Sequence, residues 1–351
     1  MILFSGAGIE LTAIGSGAAI AGGRIDGIGM TGIDGPAVRI IADGPLANPA
    51  SIGTQGSVGS DSTGSFVVND VTVGSVAPFV GGAAGGIQVA ALDDATMDVD
   101  VRNVTVVSEN AFAFSTIARD DADVVVELVD STLAIANPGF GLAAVNAALA
   151  GNAGQSPVLH TTFSDNIIGV DGQADGAGSV GIAIGGSDSA GTLDAVLTGN
   201  EVINPSVSAV RVDRGKAADH IRGTITQTVV STPQTTPEGG MDIVSTNGSG
   251  GAIDLVIADS FLVGRFHGLF AVIDDGAAGC LDVGTNTLTA TDLTVGTGAD
   301  VTVSGGSTLS FPGFSGGDAS AYLIGRNTFI DPAPTVSGGP DGSTCATTRI
   351  R

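Results

Sequence analysis

The chain has 351 residues, of which 12 are Lys or Arg and 36 are Asp or Glu, giving a formal net charge of −24. Such a field repels nucleic acid and anionic membrane surfaces, so neither is an expected partner. Only 14% of residues are charged, 56 are Gly, Trp is absent and Tyr occurs once; this argues against aromatic platforms for sugars or bases and suits a narrow aliphatic core joined by tight turns.

Residues 1–64 read as irregular leading coils. The opening MILFSGAGIELTAIG lacks a basic leader region and carries Glu10 within its apolar stretch, so it makes a poor signal peptide, and secretion would imply a longer precursor. No run of 18 apolar residues occurs anywhere, so no transmembrane helix is expected. Residues 35–44, GPAVRIIADG, have the pattern of a strand and turn with Val38 and Ile40 inward, whereas 53–64 read as an exposed loop. This leading segment either covers the open end of the repeats beginning at residue 65 or continues into further sequence.

From residue 65 to 290 one pattern recurs. Its clearest copy is TMDVDVRNVTVVSENAFAFSTIARDDA, residues 96–122: an alternating strand, a polar bend at Asn103, a second apolar pair, a loop, another strand and an acidic turn. The residue after the bend is Val71, Val104, Ser131, Asn166, Asn200, Thr228, Ser260 and Asn286, with steps of 33, 27, 35, 34, 28, 32 and 26 residues between them. Three positions earlier stand Val68, Val101, Leu128, Phe163, Leu197, Ile225, Ile257 and Val283; two positions later stand Val73, Val106, Leu133, Ile168, Val202, Val230, Leu262 and Leu288. Both columns are wholly apolar although the spacing drifts, so the drift is absorbed in loops. A further strand repeats as Ile87/Val89, Phe114/Thr116, Leu142/Ala144, Ile182/Ile184, Val210/Val212 and Met241/Ile243. Period-two spacing and β-branched content predict strands with one buried face. Units of about thirty residues repeated in one direction predict an all-β solenoid of about eight coils, each strand pairing with its counterpart one coil on. Asn166, Asn200 and Asn286 at the bend are then either a hydrogen-bonded ladder or ordinary turn residues.

The longest loops inside coils, 169–179 and 231–239, are small and polar and read as flexible projections. After residue 290 come Thr/Val alternations, and DASAYLIGRN reads as a helical turn or two capping the open end, so 291–351 form a small C-terminal cap. Cys280 and Cys345 are either one disulfide closing that cap in an oxidising compartment or two buried thiols. Neither has CxxC spacing or a nearby His, which argues against a metal centre.

The coil pattern resembles the right-handed parallel β-helix repeats of the pectate-lyase-like superfamily. The stretches CLDVGTNTL, STLSFPGFSGG and GRNTF with the final Cys are similar to the closing segment of β-helix regions in large secreted bacterial surface proteins. The resemblance implies an extracellular or cell-surface location and an adhesive or structural role toward cell-surface or matrix components, carbohydrate among them.

It also implies a search for polysaccharide-cleaving machinery. A hydrolase needs several carboxylates with a His on neighbouring coils; His267 with Asp274 and Asp275 is the best candidate set. A lyase needs calcium and a basic Arg or Lys; Arg211, Arg214 and Lys216 are the only basic cluster, with Asp213 among them. The doublets Asp93/Asp94 and Asp120/Asp121, stacked on successive coils, are either a calcium site or solvated turns. The expected function is therefore a non-catalytic structural or adhesive rod, with a polysaccharide lyase or hydrolase as the alternative.

Overall fold

The computed structural model describes residues 7–33, 35–53, 65–74, 85–109, 111–136, 143–152, 154–186, 190–214, 219–232, 236–245, 251–329 and 333–340. They form a parallel β-solenoid of about nine turns. One sheet has eleven strands, from Ile9–Ile14 at one end to Thr335–Ser337 at the other; a second has twenty, creased along the polar bend into two faces. Each coil runs from the eleven-stranded sheet to the first face of the other, round the bend to its second face, and back. Phe114–Arg119, Asp123–Val129, Thr132–Ile135 and Ala143–Ala150 trace one such passage. Eleven strands at about 4.8 Å each give a stack roughly 50 Å long.

The first apolar column, Val68 to Val283, is in register from coil to coil, and each member is fully buried. The second, Val73 to Leu288, is buried likewise. The third column follows the expected pairs with one exception. At the third pair of that column Val145 and Ala147, not Leu142 and Ala144, pair with Phe114 and Thr116 and with Ile182 and Ile184. The stretch LAAVNAALA is almost uniformly small and apolar, so alternation there carries no phase; Leu142 itself lies outside the described residues.

The crease has a backbone cause. The residue before each ladder position takes a left-handed conformation: Asp70, Asn103, Asp130, Asp165, Gly199, Gln227, Asp259 and Thr285 have φ between 48° and 69°. Asn, Asp and Gly adopt that region at least cost. The next side chain turns inward, and the ladder is real. Asn166 N and Nδ2 both donate to Asn200 Oδ1 at 3.2 and 3.0 Å, and Asn200 Nδ2 donates to the Phe163 carbonyl at 2.8 Å. Ser131 N donates to Asn166 Oδ1, Ser260 N to Asn286 Oδ1, and Asn286 N to Asn327 Oδ1. Asn200→Ala is therefore expected to orphan two buried donors and one carbonyl at once, costing about 2–3 kcal/mol in denaturant unfolding. Gln227→Ala, exposed at the same crease, should change little.

The strands Ile9–Ile14 and Pro36–Gly44 pair in parallel and in register with the later repeats, so the leading coils are regular. The eleven-stranded sheet likewise continues through Thr297–Val303 to Thr335–Ser337. Helix Ala319–Arg326 is inserted into that last passage, N-capped by Asp318, whose carboxylate accepts from Ser320 N and Ala321 N. Leu323 is buried, and Tyr322 packs on Phe311 and Phe314 with centroids 5.7 and 5.4 Å away, so the helix covers that end of the core. The loop 169–179 does not project freely: Gln173 Nε2 donates to the Ile135 and Ala136 carbonyls, and Asn204 Nδ2 donates to the Gln173 carbonyl.

Candidate functional site

Alternation along each strand puts every second side chain outside, so coil-to-coil register turns outward residues into columns too. His267 opens the strand His267–Ile273 and Asp274 directly follows it. Seven residues of strand separate them by roughly 23 Å, so His267, Asp274 and Asp275 are not one constellation. Asp274 instead accepts from Ser304 Oγ at 2.8 Å, and Asp275 is a left-handed turn residue with φ 57°. The carboxylate beside His267 belongs to the preceding coil: Asp242 Oδ1 lies 3.2 Å from His267 Nε2. The ring stacks on Phe270 at 4.8 Å, and Ser208 Oγ donates to Asp242 Oδ2. Nucleophilic serine chemistry needs the imidazole between hydroxyl and carboxylate. Here the carboxylate sits between the other two, so the set has no path from hydroxyl to base.

Asp93 and Asp120 are left-handed turn residues with φ 56° and 63°, joined through Asp121 N donating to the Asp93 carbonyl at 2.9 Å. The Asp121 carboxylate accepts from Ser156 N at 2.8 Å, and Arg119 Nε lies 3.6 Å from Asp120. On the neighbouring coil the Asp43 carboxyl is pushed up, first by burial and then by the charge and hydrogen bond of Asp93. Asp94 takes its place in the same turn, its N–H donating to the Gly44 carbonyl at 3.1 Å. Among the described residues no three His, Cys, Asp or Glu side chains converge as a metal-ligand set. The basic cluster also separates. Arg211 faces outward and pairs with Asp213 at 2.8 Å, Arg214 is fully buried, and Lys216 lies outside the described residues. Cys280 is buried in the strand Ala278–Gly284, and Cys345 lies outside the described residues.

Sequence reasoning missed a polar constellation that spans three coils on the first face of the twenty-stranded sheet. His160, Asp194 and Arg222 occupy one outward register position. Arg222 Nε and Nη2 both donate to the Asp194 carboxylate at 2.6 Å, and His160 Nδ1 approaches the same carboxylate at 3.1 Å. On the next coil Asp254 holds His220 Nε2 at 2.8 Å. Burial pushes the Asp194 carboxyl up, but hydrogen bonding to His160 and Arg222 outweighs it and the net shift is downward. The hydrogen bond to Asp194 pushes His160 up against opposing burial. A histidine raised in the folded state contributes stability that is present below the ordinary range near 6.5 and lost as pH rises through the folded value. The midpoint of urea unfolding is therefore expected to fall as pH goes from about 6 to 8, with a shallower fall in His160→Gln. An equal slope in both proteins would remove His160 as the source.

A separate shallow groove of about 620 Å³ lies on the outer face of the eleven-stranded sheet. Ile117, Ala148 and Ala183 form its floor, Phe112 and Asn146 flank it, and the Arg211–Asp213 pair closes one end. An apolar floor with a few polar groups suits one face of a sugar ring or a short apolar chain.

No protein-family model matches this chain, and neither a curated protein nor a solved structure is significantly similar to it.

Proposed function

We propose that the chain is a non-catalytic β-helical element of a bacterial extracellular or cell-surface protein, with a structural or adhesive role toward cell-surface or matrix components, carbohydrate among them. One observation carries the reading. Each of the chain's three histidines is held against an aspartate of an adjacent coil: His160 on Asp194, His220 on Asp254 and His267 on Asp242. Each contact engages one ring nitrogen and ties one coil to the next, a structural role that accounts for all three side chains. Strong negative charge and a Gly-rich composition without Trp agree with a solvated rod. A Cys280–Cys345 disulfide closing the C-terminal coils belongs to the same proposal and predicts a lower unfolding midpoint under reducing conditions.

The groove beside Arg211 favours a second reading, a lyase or hydrolase acting on polysaccharide. Incubating the purified protein with neutral and acidic polysaccharides, with and without calcium, and assaying reducing ends and unsaturated uronates separates the two. No turnover, with retention on one of the immobilised glycans that is lost in Ala148→Arg at the groove floor, is the expected result. Turnover abolished by Arg211→Ala would overturn the non-catalytic reading.

A further inference from the structure

Two buried strand residues that face the core, Thr116 and Thr161, have hydroxyls with no hydrogen-bond partner among the described residues. They point at the same place. The strand Phe114–Arg119 runs into the turn at Asp120, and Asp123–Val129, which pairs in register with Val158–Ser164, runs out of it. Phe114–Arg119 and Val158–Ser164 therefore cross the core in opposite directions. Phe114 and Phe163 meet ring to ring, with centroids 6.0 Å apart. Two residues nearer the turn on each strand stand Thr116 and Thr161, so alternation brings these side chains face to face at the next inward step. Packed sheets stand about 10 Å apart, a gap that two short side chains do not close, and no hydrogen bond joins the two oxygens. One coil back the same positions hold Val89 and Val126; one coil on they hold Ala147 and Ala195, all of them buried. Side-chain volume thus falls away beside the two hydroxyls.

We propose that Thr116 and Thr161 bind one internal water, which bridges their hydroxyls across the core. Protein interiors pack closely, and a hydroxyl taken out of solvent without a partner is costly. Two such groups aimed at one place meet that demand with a single shared partner. A buried water is held by two to four polar groups in a space of about one probe sphere, and two hydroxyls, each able to donate and to accept, supply that minimum. Neither side chain carries charge, so the site has nothing to neutralise an ion and suits a small neutral molecule. The bridge joins the eleven-stranded sheet to the first face of the other across the interior, whereas the Asn ladder and the histidine–aspartate contacts join one coil to the next.

Valine keeps the shape of threonine without its hydroxyl, so the sign of its effect tests the assignment on the full chain. In urea unfolding, Thr116→Val and Thr161→Val should each raise the unfolding equilibrium constant roughly tenfold, because the remaining hydroxyl and the water each lose a partner. The double variant, from which both hydroxyls and the water are gone, should recover most of that loss. A hydroxyl with no partner would instead make each single valine stabilising, and that result overturns the proposal, as does additive loss in the double variant. A direct hydrogen bond between the two threonines would give the same coupling, and a high-resolution crystal structure of the wild-type protein separates the two. Density within hydrogen-bond distance of both Oγ1 atoms is expected there, and its absence overturns the proposal. Should a variant fail to fold, transfer of magnetisation from a long-lived internal water to the Thr116 and Thr161 methyl protons of the wild type still decides; no transfer overturns it.

Discussion

Replacing Asp219 by alanine is expected to destabilise the protein by about 3–5 kcal/mol, because it removes the buried charge that offsets burial of the Arg214 guanidinium. Arg214 is the largest fully buried side chain; its Nε donates to Ser245 Oγ at 2.7 Å, and Ser245 is itself buried. Burial pushes Arg214 down from its ordinary range, and the charge of Asp219 acts against that. Asp219 is also fully buried and accepts from Gly191 N at 2.9 Å, so Asp219 binds the preceding coil and Arg214 the following one beneath the surface. A Cβ on Gly186 would run into the Asp219 carboxylate, which is why that position has no side chain. A buried pair is not strongly stabilising relative to apolar replacements, whereas a buried single charge is costly. Arg214→Met combined with Asp219→Leu should therefore lose much less than the sum of the single changes. Urea unfolding of the four proteins forms a double-mutant cycle. An Asp219→Ala cost below about 1 kcal/mol, the scale of exposed pairs, would mean that water reaches the guanidinium.

The inward half of this structure is legible in the sequence because a narrow core tolerates only apolar side chains at fixed phase, however long the loops between coils. Val68 through Val283 satisfy that demand without exception. The phase is lost only where residues 142–150 offer small apolar side chains on both faces. The ladder is legible at Asn166, Asn200 and Asn286 but not at Asn327, which stands 41 residues beyond Asn286 because the capping helix is inserted between them. The outward half is harder for a physical reason. Outer positions accept any soluble residue, so no single column announces itself. His160, Asp194 and Arg222 nevertheless stand three positions before Phe163, Leu197 and Ile225. Reading outward positions at the same register aligns them. Nearness in sequence joins His267 to Asp274 and Asp275, yet in a stacked coil the close neighbour is one turn away, and Asp242 is that neighbour.

The same geometry predicts how a break in the core should propagate. Phe163 is fully buried, stacked by register between Leu128 and Leu197. Its ring meets Phe114 of the eleven-stranded sheet edge-on, with centroids 6.0 Å apart and planes at 82°, so the two rings span the interior between sheets. Phe163→Ala is expected to cost about 3–5 kcal/mol, the transfer loss plus the cavity left by partners fixed in hydrogen-bonded strands. Phe163→Leu, which keeps most of the volume, should cost less than about 1.5 kcal/mol. In a stack where each coil contacts only its neighbours, stability is a sum of local and interface contributions, and a weak interface divides the cooperative unit. Alanine at this central position should therefore broaden the urea transition or split it in two, because the coils on either side keep their own interfaces. Ile25→Ala, in a terminal coil, should fray that end and leave the main transition sharp. A single sharp transition in Phe163→Ala, displaced without loss of slope, would show that strand pairing rather than the aliphatic and aromatic stack carries cooperativity along the rod.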